Sequence, residues 1–115
     1  MNLLHADLLA NNISKMLKDA KGITAYALAR NLRMLNTELT EFHNAKKEAF
    51  KKYGTQEGDS LVIKPENIDK YIEEMRKFEG EEIPFQPRTL KESELTESGL
   101  NGEQIYQLMQ DIIEN

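Results

Sequence analysis

The chain of 115 residues contains no cysteine and no tryptophan, and only 7% of its residues are aromatic. Without cysteine there is no disulfide, no thiolate nucleophile, no zinc ribbon and no iron–sulfur cluster. No stretch approaches the roughly 20 apolar residues that a transmembrane helix needs. The opening residues, MNLLHADLLANN, lack the basic and apolar regions of a signal peptide. We therefore expect a soluble protein of the cytoplasm, without a membrane partner.

Patterns for catalysis and metal binding are also missing. The two histidines, His5 and His43, are far apart in the sequence, whereas a zinc site needs histidines and carboxylates that converge. Paired carboxylates such as Glu81 and Glu82 lie in polar runs, whereas acid–base catalysis needs one carboxylate to be desolvated. Neither a glycine-rich phosphate loop nor a G-x-S-x-G motif occurs. We expect no enzyme activity, no metal and no cofactor.

What the sequence does contain is helical periodicity, most clearly over residues 23–53. Its large apolar residues alternate between four- and three-residue steps, which is typical of a coiled coil, with a polar interruption at Lys46. A helix of this length spans roughly 46 Å, more than a compact domain of this size needs. The apolar positions, which we call the leucine stripe and predict as an interface, are Leu28, Leu32, Leu35, Leu39 and Phe42.

Five shorter elements accompany the long helix. Three are predicted helices, because apolar residues recur at three- and four-residue spacing. Two are predicted strands: one is rich in β-branched residues, and the other contains prolines that exclude a helix. We expect the two strands to pair, the second as an edge strand. In chain order these elements are a helix over 3–20, a strand over 60–63, a helix over 65–79, a strand over 82–86 and a helix over 102–113.

These elements predict a single α+β domain, mainly α, over residues 1–115. We expect a long, coiled-coil-like helical hairpin with a small two-stranded β element and a C-terminal helix. The 65–79 helix, at roughly 22 Å, covers about half of the long helix. The rest of the leucine stripe therefore needs the 3–20 helix, the C-terminal helix or another chain.

Charge is distributed unevenly along the chain, whose net charge is −5. Residues 1–53 hold nine Lys and Arg against five Asp and Glu, a charge of +4, and residues 54–115 hold six against fifteen, a charge of −9. The acidic half can pack on the basic half, meet a basic partner, or mimic a phosphate backbone. The candidate contact residues in the acidic half are Glu92, Glu94 and Glu97.

A basic strip for nucleic acid is the opposite possibility. Four lysines at the end of the long helix, with two arginines nearer its start, supply the positive charge. The net negative charge and the few aromatic residues argue against it, so nucleic acid is not an expected partner. The basic residues concerned are Arg30, Arg33, Lys46, Lys47, Lys51 and Lys52.

The layout of the chain resembles a family of small phage and prophage proteins of Gram-positive bacteria. The likeness rests on GITAYALARNLRMLNTELTEFHNAKKEAFKKYG, on LVIKPENIDKYIEEMRKFEGEEIPFQPRTLKESEL, and on the acidic helical tail. It spans nearly the whole chain but includes no catalytic motif. It implies a phage-encoded protein that acts in the cytoplasm of the bacterial host or in virion assembly. In architecture alone, the layout also resembles prefoldin-type coiled-coil hairpins.

We therefore expect a non-enzymatic phage protein that works by binding another protein. In the leading hypothesis it inhibits or modulates a host or defence protein, to which it presents its acidic half or the leucine stripe. In the alternative it self-associates through the stripe, as a homo-oligomeric component of phage assembly. A third hypothesis is a protein that binds or mimics nucleic acid.

Overall fold

Helix α2, Gly22–Tyr53, is the longest element of the computed structural model, and its 32 residues span about 48 Å. The molecule measures 51 × 31 × 21 Å, and its radius of gyration is 17.0 Å, against about 13 Å for a compact chain of this length. The structure describes residues 1–114, so Asn115, at the end of the predicted domain, lies outside the described residues. The other elements are α1, Leu3–Met16; β1, Gly54–Glu57; β2, Ser60–Ile63; α3, Pro65–Met75; and α4, Gly102–Leu108.

The fold is α+β and mainly α, with a long helical hairpin, a two-stranded antiparallel sheet and a C-terminal helix. Helix α2 starts one residue before the predicted 23–53 helix, and β2 has the predicted bounds. Helix α3 continues into a 3-10 turn over Arg76–Phe78, so the two together nearly fill the predicted 65–79 helix. The strong apolar periodicity of these segments and their glycine and proline boundaries account for this agreement.

Helix α1 is shorter than the predicted 3–20 helix. It starts after Asn2, whose side-chain oxygen accepts hydrogen bonds from the Leu4 and His5 N–H groups and so satisfies two free donors of the first turn. It ends at Met16, because the chain turns back there and the Asp19 N–H donates to the Met16 carbonyl. This reversal lays α1 antiparallel against the first half of α2.

Helix α4 also ends earlier than the predicted 102–113 helix, because the last described residues pair with Leu90. The Leu90 N–H donates to the Ile112 carbonyl and the Glu114 N–H donates to the Leu90 carbonyl, both at 2.8 Å. The segment therefore leaves the helix after Leu108 and forms a parallel bridge to Leu90. Leu90, Leu108 and Ile112 are all fully buried there.

The pairing predicted between residues 82–86 and 60–63 is wrong. Strand β2 pairs with β1, in a register that sets Glu57 opposite Ser60. The two-residue loop begins with Gly58 at φ +61°, and the φ of Asp59, its second residue, is not positive, which matches a type II′ turn. This turn lets residues 54–57 pair directly with residues 60–63. Residues 82–86 instead contact the start of the chain, through a bridge between Asn2 and Glu82.

The leucine stripe lies in the core of its own chain, so its prediction as a free interface is wrong. Leu28, Leu35 and Leu39 are fully buried and Phe42 is 5% exposed, while Leu32 is partly buried. Helix α1 covers this face with a matching set of apolar side chains, because both helices present one apolar side to the core. The members from α1 are Leu3, Ala6, Leu9, Ala10, Ile13 and Met16.

The second half of α2 leaves this core and forms, with β1, β2 and α3, a projection that we call the arm, residues 44–78. No residue of α3 is fully buried. Phe50 contacts Tyr71 edge-on, with ring centroids 6.1 Å apart, and Phe42 contacts Phe78 at 5.3 Å where the arm meets the core. Ile68 and Ile72 of α3 remain about 40% exposed. The arm is thus held by few buried contacts.

Residues 79–114, which we call the return segment, run back along the first half of α2. The side chain of Asn31, fully buried on α2, fixes this path by a double hydrogen bond to one residue of the segment. Its Nδ2 donates to the Arg88 carbonyl at 2.9 Å, and its Oδ1 accepts from the Arg88 N–H at 2.8 Å. Further along, the buried Thr24 hydroxyl donates to the Glu94 carbonyl.

Gly99 lets the return segment touch the turn between α1 and α2. Its φ is +82°, and a Cβ at this position would overlap the carbonyl oxygen of Asp19. The neighbouring Ser98 carbonyl accepts a 2.7 Å hydrogen bond from the Lys21 N–H. Only glycine combines this backbone conformation with so close an approach.

The Asn31 contact yields the first prediction. Asn31→Ala should lower the free energy of unfolding by about 2–4 kcal/mol, because it leaves the Arg88 N–H and carbonyl without their partner. Asn36→Ala changes the same residue type at an exposed position of α2 and should change it by less than about 0.5 kcal/mol. Urea denaturation followed by circular dichroism measures both. Equal effects of the two variants would contradict the role assigned to Asn31.

The contact of Gly99 with the turn between α1 and α2 yields a second prediction. Gly99→Ala should destabilise the protein by about 2–4 kcal/mol, because a positive φ and a steric overlap add together. Gly80→Ala is the matched control, since a Cβ there meets nothing within 4 Å, and it should change the stability by less than about 0.5 kcal/mol. Thermal unfolding of the two variants tests the difference, and a Gly99→Ala protein as stable as the control would refute it.

Candidate interaction surfaces

Both histidines are paired with aspartates that the sequence separates widely. His5 Nε2 lies 2.8 Å from Asp111 Oδ2, and His43 Nε2 lies 2.8 Å from Asp7 Oδ1. The first pair joins α1 to the return segment, and the second joins α1 to α2. Within residues 1–114 neither histidine also hydrogen-bonds to a serine or threonine hydroxyl, as a nucleophilic triad would require. The pairs therefore act as side-chain links across the fold.

The acidic residues do not gather into a metal site in the part of the chain that the structure describes, where no group of three or more potential ligands occurs. On the arm, Glu74 lies 3.5 Å from Lys52. The Tyr53 side chain, whose ring centroid lies 5.2 Å from the Lys52 ammonium, and after it the charge of Glu74, raise the pKa of Lys52 above its ordinary value. Lys52 therefore stays cationic at neutral pH.

The three glutamates predicted as contact residues lie around the 3-10 turn Glu92–Leu95. Glu92 and Glu97 are exposed. Glu94 is partly buried, and its carboxylate accepts a 2.9 Å hydrogen bond from the Lys91 N–H. One of the three is thus engaged in capping its own turn, so the predicted acidic contact surface has two free carboxylates rather than three.

A surface that the sequence analysis did not single out lies between α1 and the end of the chain. It is a groove of about 480 Å³, which we call the α1–α4 groove. Most of its lining is apolar or carries an uncharged amide, and its one carboxylate is already paired with a histidine. The lining residues are His5, Leu8, Leu9, Asn12, Tyr106, Gln107, Met109, Gln110 and Asp111.

Large apolar side chains around this groove are unusually exposed. Tyr106 is 75% exposed, Leu8 58% and Met109 49%. Leu4, at 44%, lies one helical turn before Leu8 on the same face of α1. A single exposed leucine is ordinary, but a contiguous apolar patch rimmed by polar residues is typical of a protein interaction surface.

Comparison of the chain with protein-family models, with curated proteins and with solved structures finds no match. Among the described helices, none is both long and apolar enough to span a bilayer.

Proposed function

We propose that the chain is a non-enzymatic protein that acts by binding an amphipathic helix of another protein in the α1–α4 groove. The observation that carries the proposal is the cluster of exposed Leu4, Leu8, Tyr106 and Met109 across two adjacent elements. Helix-in-groove recognition uses apolar side chains spaced one turn apart that enter a groove of this kind. Tyrosine is enriched among the residues that dominate binding energy, and methionine adapts its shape to a partner.

The polar lining of the groove supports an apolar occupant. Asn12, Gln107 and Gln110 are uncharged, and the Asp111 carboxylate already has His5 as its partner. An apolar helix face can therefore enter the groove without leaving a buried, unpaired charge. Burial of an unpaired charge strongly weakens binding at an interface. A strongly charged peptide has no counter-charge to meet there.

The biological setting of this proposal follows from the resemblance to small phage and prophage proteins. We place the chain in the cytoplasm of the bacterial host, where it inhibits or modulates a host or defence protein. Such a protein needs no active site, because occupying a partner's functional helix blocks that helix from its own contacts. No metal or cofactor enters this proposal.

Self-association in phage assembly is the second candidate, and the arm favours it. Ile68 and Ile72 lie one turn apart on α3, and each is about 40% exposed. They form an apolar helix face on the same chain as the α1–α4 groove but in a different part of it. If this face of one copy enters the groove of the next, the contact is head-to-tail and builds rings or filaments.

A third prediction tests the binding site with a photo-crosslinker. The crosslinking amino acid at position 106 should capture a bacterial protein from lysate, and the same group at position 23, also exposed, should not. The captured protein is then purified and titrated against variants. Leu8→Glu should bind at least about tenfold more weakly, because a charge would enter the apolar contact.

Ile23→Glu is the matched control for that titration, since Ile23 is 44% exposed and lies outside the groove. It should bind within about twofold of the unchanged protein. Equal affinity of Leu8→Glu and the unchanged protein would refute the proposal. Light scattering distinguishes self-association from binding of a foreign partner. Oligomers of the unchanged protein that become monomers in both Ile68→Glu and Leu8→Glu would support self-association. A monomeric unchanged protein would support a foreign partner.

A further inference from the structure

A second groove of about 630 Å³ lies on another side of the molecule, between α2 and the return segment. We call it the arginine groove. One wall is a face of α2, and the other is the stretch between Pro84 and Pro87. Its lining includes Tyr26, Arg30 and Arg33 on α2, and Pro84, Phe85 and Gln86 on the return segment.

The arginine groove carries positive charge that the chain itself leaves free. Arg30 and Arg33 are both exposed, and neither forms an ion pair within residues 1–114. Arg30 donates only to the Tyr26 hydroxyl, at 3.4 Å. Glu38 is the one carboxylate in the lining, against these two guanidinium groups. A guanidinium presents a planar set of donors that binds carboxylates in pairs of hydrogen bonds.

The opposite wall offers backbone groups. Residues 84–87 form neither helix nor strand and are fixed on both sides, by the 2.8 Å hydrogen bond from the Ile83 N–H to the Met1 carbonyl and by the Asn31–Arg88 contact. Among the described residues, the N–H groups of Phe85 and Gln86 have no hydrogen-bond acceptor. Successive N–H groups of an extended backbone point to opposite sides, so a peptide that lies along this stretch can accept a main-chain hydrogen bond from one of the two. The flanking prolines, which lack N–H groups, keep the pairing short.

We propose that the arginine groove binds an extended acidic segment of a partner protein. Arg30 and Arg33 are one helical turn apart, with Cβ atoms about 5–6 Å from each other. Alternate residues of an extended chain lie about 7 Å apart on one side, so two carboxylates at positions i and i+2 can each reach one guanidinium. Tyr26, which is 57% exposed, and the half-buried Phe85 line the same groove and provide apolar contact for the peptide beside the two arginines.

The fourth prediction uses a fluorescein-labelled peptide in which glutamate and valine alternate. Fluorescence polarisation should show binding to the full-length protein that weakens as salt is raised. Arg30→Glu combined with Arg33→Glu should weaken binding at least tenfold. Lys46→Glu combined with Lys47→Glu makes the same charge change at exposed positions of the same helix outside the groove, and should leave affinity within about twofold.

A peptide of opposite charge shows whether the double arginine variant is still folded. This variant should gain affinity for a peptide in which lysine and valine alternate, and an unfolded protein would not. Hydrogen exchange should show protection of one of the two amides, Phe85 or Gln86, when the acidic peptide is bound. Three results would overturn the proposal: no binding of the acidic peptide near physiological salt, equal losses in the two double variants, or tighter binding of a single-stranded oligothymidylate than of the peptide.

Discussion

The double hydrogen bond between Asn31 and the backbone of Arg88 is the constraint on which the path of the whole return segment depends. Asn31 is fully buried, and a buried amide without partners is strongly unfavourable. Its two groups match the N–H and carbonyl of one residue, so a shift of the segment by one position would break both bonds. This register places Leu90 in the core and brings Ile112 and Glu114 beside it.

Helix α2 serves two different environments along its length. Its first half is covered by α1 on one side and by the return segment on another, and these two elements bury the leucine stripe. Beyond His43, which still pairs with Asp7 of α1, the helix packs on α3 and the hairpin, and Ala49 is the one buried residue that α2 has there. The core therefore stabilises one half, while the arm depends on a few aromatic and aliphatic contacts.

The sequence allowed the long helix, β2 and α3 to be predicted, because periodicity and boundary residues are local signals. It indicated the 3–20 helix as one of three possible covers of the leucine stripe, and α1 does cover it. It did not reveal the contribution of residues 83–90, which form neither helix nor strand apart from a bridge at Leu90 and so have no helical periodicity. The partner of β2 had a local signal that was overlooked: Gly58 and Asp59 form a two-residue hairpin loop of a known type.

The α1–α4 groove was missed for a related reason. Leu4, Leu8, Leu9 and Ile13 all contribute to the apolar spacing that predicts the 3–20 helix. Adjacent residues of a helix point about 100° apart, so Leu8 and Leu9 cannot both be central to one buried face. The burial of Leu9 and the exposure of Leu8 follow from that geometry. The arginine groove had no comparable signal, because its two walls are separated by about fifty residues of sequence and are brought together by tertiary contacts such as the Asn31–Arg88 hydrogen bonds.

The return segment supplies one wall of each groove. Tyr106 and Met109 line the first, and Phe85 lines the second. The Leu90 N–H and carbonyl bond to Ile112 and Glu114, so the stretch that carries Phe85 and the stretch that carries Tyr106 and Met109 meet at Leu90. Among the described residues none lines both grooves, so a substitution that changes the lining of one groove leaves the lining of the other as it is. The two grooves of this small protein thus share one segment of the chain but have separate linings.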